Sequence, residues 1–245
     1  RQNLDYNFRH ALSWSLITSG NFSVRYYDES FAFNVAGISC FPKEADIKYL
    51  CALLNCKVVG VITKMLNPTL NMNVGDVAKV PVIIEESKRK EIENLTEIAI
   101  SLSKKDWDSF ETSWDFLQHP LVRLRTKSKE KTNNGKWQYR IEDTFFVWND
   151  ECEVRFAELK SNEEELNRIF IDIYGLQDEL SPEVEDKDVT VRKADLQRDI
   201  RSLISYAVGC MFGSYSLDKE GLIFAGGRME DKFSYYSGTF ADTQD

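Results

Sequence analysis

Apolar and polar residues alternate at a period of two in the opening segment, then recur at steps of three and four further along. Leu12, Trp14 and Leu16 alternate with serines, and Thr18-Ser19-Gly20-Asn21 supplies turn residues before a second alternating run, Phe22 to Tyr27. That run predicts a strand with Phe22, Val24 and Tyr26 on one face and Ser23, Arg25 and Tyr27 on the other. Short strands are expected at Phe31 to Val35 and at Ile38 to Phe41. From Glu44, Ile47, Leu50, Leu54, Val58, Val61 and Met65 predict one helix, ending at Leu66 or Asn67 because Pro68 disfavours helical geometry before it. An Asn-rich loop, Asn67 to Asn73, follows; Gly75-Asp76 opens a short turn into an edge strand, Lys79 to Ile84, marked by Pro81.

Beyond Glu85 the period is helical. Ile92, Leu95, Ala99 and Leu102 put one apolar stripe on a polar helix, Glu86 to Ser103. Aromatics crowd the connection from Asp106 to Phe116. Two more helices are expected, Asp150 to Tyr174 closed by Gly175 and about Lys193 to Phe212 closed by Gly213, with the acidic run Ser181 to Asp188 as a loop between them. The pattern predicts an α+β protein: a mixed-sheet domain over residues 1–84 and a mainly α-helical domain over 85–245.

Composition narrows the classes. With 42% hydrophobic and 12% aromatic residues among 245, the chain has material for a buried core and is not a disordered one. Five cysteines at irregular spacing, with no C-x-x-C pair, indicate neither a disulfide framework nor a zinc site and fit a reducing cytoplasm. The first ten residues carry no signal-peptide pattern, and Asn55, Lys57 and Lys64 interrupt the most apolar stretch, so membrane insertion is not expected. The first residue is Arg rather than Met, which predicts a piece of something longer.

Charge divides the chain. The net charge is −9, but residues 1–140 carry 20 basic against 16 acidic side chains and residues 141–245 carry 11 against 24. A surface for a polyanion therefore belongs to the first part. Arg123, Arg125, Lys127, Lys129, Lys131, Lys136 and Arg140 are opposed there only by Glu130, a cluster that could neutralise phosphates or only keep a loop soluble.

A catalytic centre is not evident. The two histidines, His10 and His119, stand in no recognised nucleophile–base context, and His119, before Pro120 in an aromatic segment, reads as structural. Glu163-Glu164-Glu165 falls where a solvated helix face is expected, and no metal site is predicted. Neither phosphate-binding glycine motif occurs. Asn67-Pro68-Thr69-Leu70 invites comparison with the Asn-Pro-Pro-aromatic motif that holds a flipped base, but it lacks the second proline and the ring.

The residues do carry a family likeness. Ser13 to Gly20 with Arg25, then Tyr49 to Lys57 continued by Val74 to Val82, resemble the recognition domains of type II adenine methyltransferases and the specificity subunits of type I enzymes. Trp114-Asp115-Phe116 with His119-Pro120-Leu121, and Ser205 to Gly213 followed by Tyr215 to Asp218 and Gly221-Leu222-Ile223, resemble the PglX-type methyltransferases of BREX phage-defence systems. The resemblance implies a C-terminal part of an adenine-specific DNA methyltransferase, with target recognition in residues 1–84 and a helical spacer in 85–245. It implies S-adenosylmethionine as cofactor of the parent enzyme, none in this chain, and no activity of the chain alone. Double-stranded DNA, the upstream catalytic domain and other defence-system subunits are the implied partners.

Candidate DNA contacts follow from side-chain chemistry. Arg can pair with guanine and Asn with adenine in bidentate fashion, which singles out Ser23, Arg25 and Tyr27 on the second strand and Asn67, Thr69, Asn71 and Asn73 in the loop. Lys57 and Lys64, seven apart on one helix face, are candidates for phosphate, as are Arg123 and Arg125. Each has an ordinary reading too: Arg25 in an ion pair, the asparagines as turn formers, the lysines lying along a helix packed on a sheet. Two other functions stay open. The chain could be a module that docks other subunits, or a hydrolase whose turnover would be lost on His119→Ala.

Overall fold

In the computed structural model, residues 4–18, 20–34, 36–126, 130–131, 137–138 and 140–224 are described. The fold is α+β, as the periodicity predicts. Two compact units are formed, Arg1–Leu102 with Ala157–Thr190, and Ser103–Phe156 with Val191–Asp245.

The first unit is built on a three-stranded antiparallel sheet, ordered β2 (Arg25–Tyr27), β1 (Ala11–Ser15), β3 (Gly37–Cys40). Leu12 faces Tyr26 and Cys40 across the ladders, and Ser13 faces Arg25 and Ser39. The expected alternation holds as far as Arg25, with Phe22 and Val24 buried and Ser23 and Arg25 exposed, whereas Tyr26 and Tyr27 are both half-buried. The strand itself is shorter than expected, because only Arg25 to Tyr27 ladder with β1. Phe31 to Asn34 form no strand. They are tied by rings instead, Phe31 stacked on Tyr27 at 4.7 Å and Phe33 edge-on to Phe41 at 5.4 Å. Val35 lies outside the described residues.

The single helix expected from Glu44 to Leu66 is two, α1 (Ile47–Asn55) and α2 (Lys57–Leu66), which meet at 71°. Cys56 between them is extended, at φ −77° and ψ 160°. The first free amide of α2, that of Lys57, donates to the Asn167 side chain at 2.8 Å, so the new helix start is capped from α6 (Ile141–Ile173) rather than by its own sequence. As expected, α2 stops at Leu66. A one-turn helix, α3 (Val74–Val77), follows where a turn was expected.

The edge strand expected over Lys79 to Ile84 is absent. Two tyrosine hydroxyls take the place of a neighbouring strand: Tyr174 donates to the Pro81 carbonyl at 2.6 Å and accepts from the Ile83 amide at 3.3 Å, while Tyr49 donates to the Ile83 carbonyl at 3.0 Å. The long helix α4 (Glu86–Trp107) then begins where expected. Leu12, Trp14 and Val24 of the sheet face, Tyr49 and Leu53 of α1, Ile92 of α4 and Phe170 of α6 share one core, with Tyr49 edge-on to Phe170 at 5.6 Å. Each such side chain removed from water contributes about 1.5–3 kcal/mol.

Among its described residues the second unit forms helices apart from a short pair of strands, β4 (Glu130–Lys131) and β5 (Trp137–Gln138). A one-turn α5 (Pro120–Arg123) and the start of α6 enclose Phe110, Leu121, Leu124, Trp148 and Cys152 with α7 (Leu196–Met211). The start of α6 lies well before the expected Asp150, because Thr144, Trp148 and Cys152 supply a buried stripe one turn apart and Glu142 and Asp143 suit its positive end. Gly175 and Gly213 end α6 and α7 at φ +66° and +78°, the left-handed conformation expected of them. Gly209 has another role: a β-carbon there would meet the Tyr215 ring at 2.7 Å, so its absence lets that ring lie on α7. Among the described residues no single helix is long and apolar enough to cross a membrane.

Candidate nucleic-acid interface

The polar residues that the sequence singles out fall on the first unit's sheet edge and on the loop after α2. Arg25 is exposed, and its guanidinium turns back to donate to the Val24 carbonyl at 3.0 Å. It also lies close enough to Glu163 to oppose the burial that pushes that carboxyl up to about 7. The acidic run in α6 is thus not a uniformly solvated face. Glu164 accepts from the Val184 amide at 3.1 Å, and Glu165 pairs with Arg168. Ser23 is exposed, and Tyr27 is taken up in the stack with Phe31.

Asn55 positions this edge, a role its place in the sequence did not reveal. Its side-chain oxygen accepts from the Val24 amide at 2.9 Å, and its amide nitrogen donates to the Val24 carbonyl at 3.1 Å and to Cys51 O at 2.9 Å. One side chain on α1 therefore replaces a missing strand partner just before Arg25. Asn55→Ala is expected to lower stability by about 1–3 kcal/mol, the range for stranding one backbone group, the Val24 amide, since Arg25 still donates to the Val24 carbonyl; the urea midpoint reads it. An unchanged midpoint would show that water serves Val24 equally well.

In the loop, hydrogen bonding sorts four similar candidates into different roles. Asn67 is fully engaged: its amide nitrogen donates to Asn71 O at 2.6 Å and to Asp76 at 2.7 Å, and its oxygen accepts from the Thr69 amide at 3.0 Å and hydroxyl at 2.6 Å. Thr69 in turn accepts from the Asn71 amide at 3.3 Å. Asn73 starts α3, and the bonds that Asn67 and Asn73 give Asp76 hold its carboxyl below the usual range. Asn71 is different. Its backbone is fixed by these bonds and by a bridge to Ile17, yet its exposed side chain has no partner among the described residues. Trp14 anchors the neighbouring position, its indole donating to Met72 O at 3.0 Å from within the core.

The basic candidates also separate. Lys57 bonds the carbonyls of Ser181 and Glu183, so its ammonium secures a loop of the same unit. Lys64 is exposed on α2 with no ion pair among the described residues. Arg123 pairs with Glu151 at 2.7 Å, and Arg125 is exposed. Lys127, Lys129 and Lys136 lie outside the described residues. His119 is buried, its Nδ1 accepting from the Leu121 amide at 3.3 Å at the start of α5, which is a structural post.

Compared with known proteins, the chain is 46% identical over 223 residues to the adenine-specific methyltransferase PglX of Lacticaseibacillus casei (strain Zhang), covering 91% of this chain and 18% of that protein. The chain matches one segment of the PglX-type adenine-specific methyltransferases. It is also 31% identical over 242 residues to the adenine-specific methyltransferase BrxX of Escherichia coli O9:H4 (strain HS), again over 91% of this chain and 19% of the relative. The chain thus spans about a fifth of the length of these PglX-type relatives. No protein family model matches it.

Proposed function

We propose that this chain serves as the target-recognition part, with its helical support, of an adenine-N6 DNA methyltransferase of a BREX-type defence system. The observation that carries the reading is the likeness along nine-tenths of the chain to a segment of two adenine-specific methyltransferases. Such an enzyme must locate its site and rotate a base out of the stack, so it needs a surface that grips duplex DNA beside the catalytic cleft. Residues 1–84 offer the groups for it: Ser23, Arg25 and Asn71 as exposed hydrogen-bonding side chains and Lys64 as a cation with no ion pair among the described residues. S-adenosylmethionine would serve the larger enzyme. The described residues do not fit it, because their three-stranded sheet is antiparallel and among them no glycine turn leads from a strand into a helix. Methyl transfer therefore belongs to the rest of the larger enzyme.

Binding of the chain to a 30-base-pair duplex, followed by anisotropy against salt, tests the reading. We expect affinity to fall steeply with salt, and Lys64→Ala to reduce the log–log slope by about 1, one phosphate contact. Arg25→Ala is expected to weaken binding further. No measurable duplex binding at low salt would refute recognition by this chain. A second reading, docking of another protein subunit, has its own support in α7, where Ile204, Val208, Met211 and Phe212 expose one apolar stripe. A chain that ignores DNA but associates through that stripe would favour it.

A further inference from the structure

The recognition loop carries one juxtaposition that bears on which base pair is read. Ile17 and Asn71 face each other in an isolated antiparallel bridge. The flanking bonds, Thr18 N–H to Leu70 O at 3.0 Å and Met72 N–H to Leu16 O at 2.8 Å, make this the non-hydrogen-bonded type of pair. In such a pair the two Cα atoms approach to about 4.5 Å and the side chains emerge together on one face. Ile17 is 66% exposed, and Asn71 is exposed with its carboxamide uncommitted among the described residues. Neither side chain serves the core: the alternate residues Trp14 and Met72 do that, and Asn67 and Thr69 hold the loop. A rigid bracket therefore presents a branched apolar group beside an amide that can both donate and accept.

That combination matches one base pair. In the major groove adenine offers N7 as acceptor and N6 as donor, which an Asn carboxamide meets with two bonds, while the paired thymine offers a methyl group that an apolar side chain covers. No other pair presents both. The minor groove presents no methyl. We propose that Ile17 and Asn71 act together as a reader of an A·T pair in the major groove, an inference that rests on the DNA-recognition reading above. Exposed Lys64, on the helix that leads into the loop, would bring the bracket to a phosphate nearby.

The test is enrichment of a duplex library with a randomised centre on the 245-residue chain, then resynthesis of the enriched duplex with deoxyuridine for each thymidine in turn. Loss of the methyl at one position is expected to weaken binding about 4-fold, the worth of one buried methyl at about 0.8 kcal/mol. Ile17→Ala should bind the two duplexes equally. Asn71→Ala should lose the preference for adenine at that same position by about 10-fold or more while keeping the salt dependence of the parent chain. Both residues are exposed, so neither variant is expected to unfold; equal urea midpoints verify this. Salt-sensitive duplex binding by the parent chain with no A·T position at which both variants lose discrimination overturns the bracket and leaves DNA recognition standing. Absence of duplex binding overturns both.

Discussion

Asp106→Ala is expected to cost about 3–5 kcal/mol, the typical penalty for leaving a buried charge without its partner. The Asp106 carboxylate is 7% exposed and takes Arg192 Nε at 2.9 Å and Arg155 Nη1 at 3.4 Å, while the Arg192 amide and Nη2 bond its oxygen and its backbone carbonyl at 3.2 and 3.0 Å. Arg192 can still reach water, since its side chain is 32% exposed, and it lies over the Phe110 ring at 3.6 Å. Arg155 cannot. It is 10% exposed, lies near the Trp148 ring at 5.3 Å, and would be left as an uncompensated guanidinium in the second unit. Against a usual total of 5–15 kcal/mol, that unit would be left marginal. The urea transition should move to lower denaturant, and adding Arg155→Met should restore much of the loss, because an apolar side chain needs no counter-charge. A loss below about 1 kcal/mol would mean that water serves Arg155 well enough without Asp106.

Sequence periodicity revealed the elements whose causes are local. The alternation of Phe22 and Val24 against Ser23 and Arg25 matches the observed burial, Pro68 marks the end of α2, and Gly175 and Gly213 end the two long C-terminal helices. The failures have distant causes. The break at Cys56 depends on Asn167, 110 residues away, so the unbroken apolar stripe from Ile47 to Met65 could not reveal it. The segment around Pro81 has strand composition but no strand beside it, because the hydroxyls of Tyr49 and Tyr174 satisfy its backbone.

The same distinction applies to the candidate interface. Four polar residues on one loop are equivalent as letters, and only hydrogen bonding separates Asn67 and Thr69, which build the loop, from Asn71, whose side chain is uncommitted among the described residues. Lys57 and Lys64 looked like a pair, yet the carbonyls of Ser181 and Glu183 engage the first. Ile17 went unnoticed because an exposed isoleucine at a strand end has no chemical signature until the residue opposite it is known.

Acid is expected to destabilise the second unit through His119, by roughly 3 kcal/mol in full. Burial pulls this imidazole down to about 4 from the ordinary 6.5, against the opposing influence of Asp199. Its ring is neutral when folded, with Nδ1 accepting from the Leu121 amide at 3.3 Å. Above pH 6.5 neither state is protonated and the contribution is fully present. Between 6.5 and 4 the unfolded chain binds a proton that the folded one refuses, so stability falls as pH falls, and below 4 no more is lost. Glu163 in the first unit acts in the opposite direction: pushed up to about 7, it contributes most below its unfolded value and loses that contribution as pH rises through 7. A global melt would blend the two. Exchange protection of the buried Trp148 indole N–H, bonded to Asp199 at 2.9 Å, reports the second unit alone. Its opening free energy should fall between pH 6.5 and 4 in the parent chain. In His119→Gln, where nothing titrates at that position, that part of the slope should vanish while the fall due to carboxylates remains; equal slopes would mean that His119 takes up its proton in the folded unit as readily as in the unfolded chain.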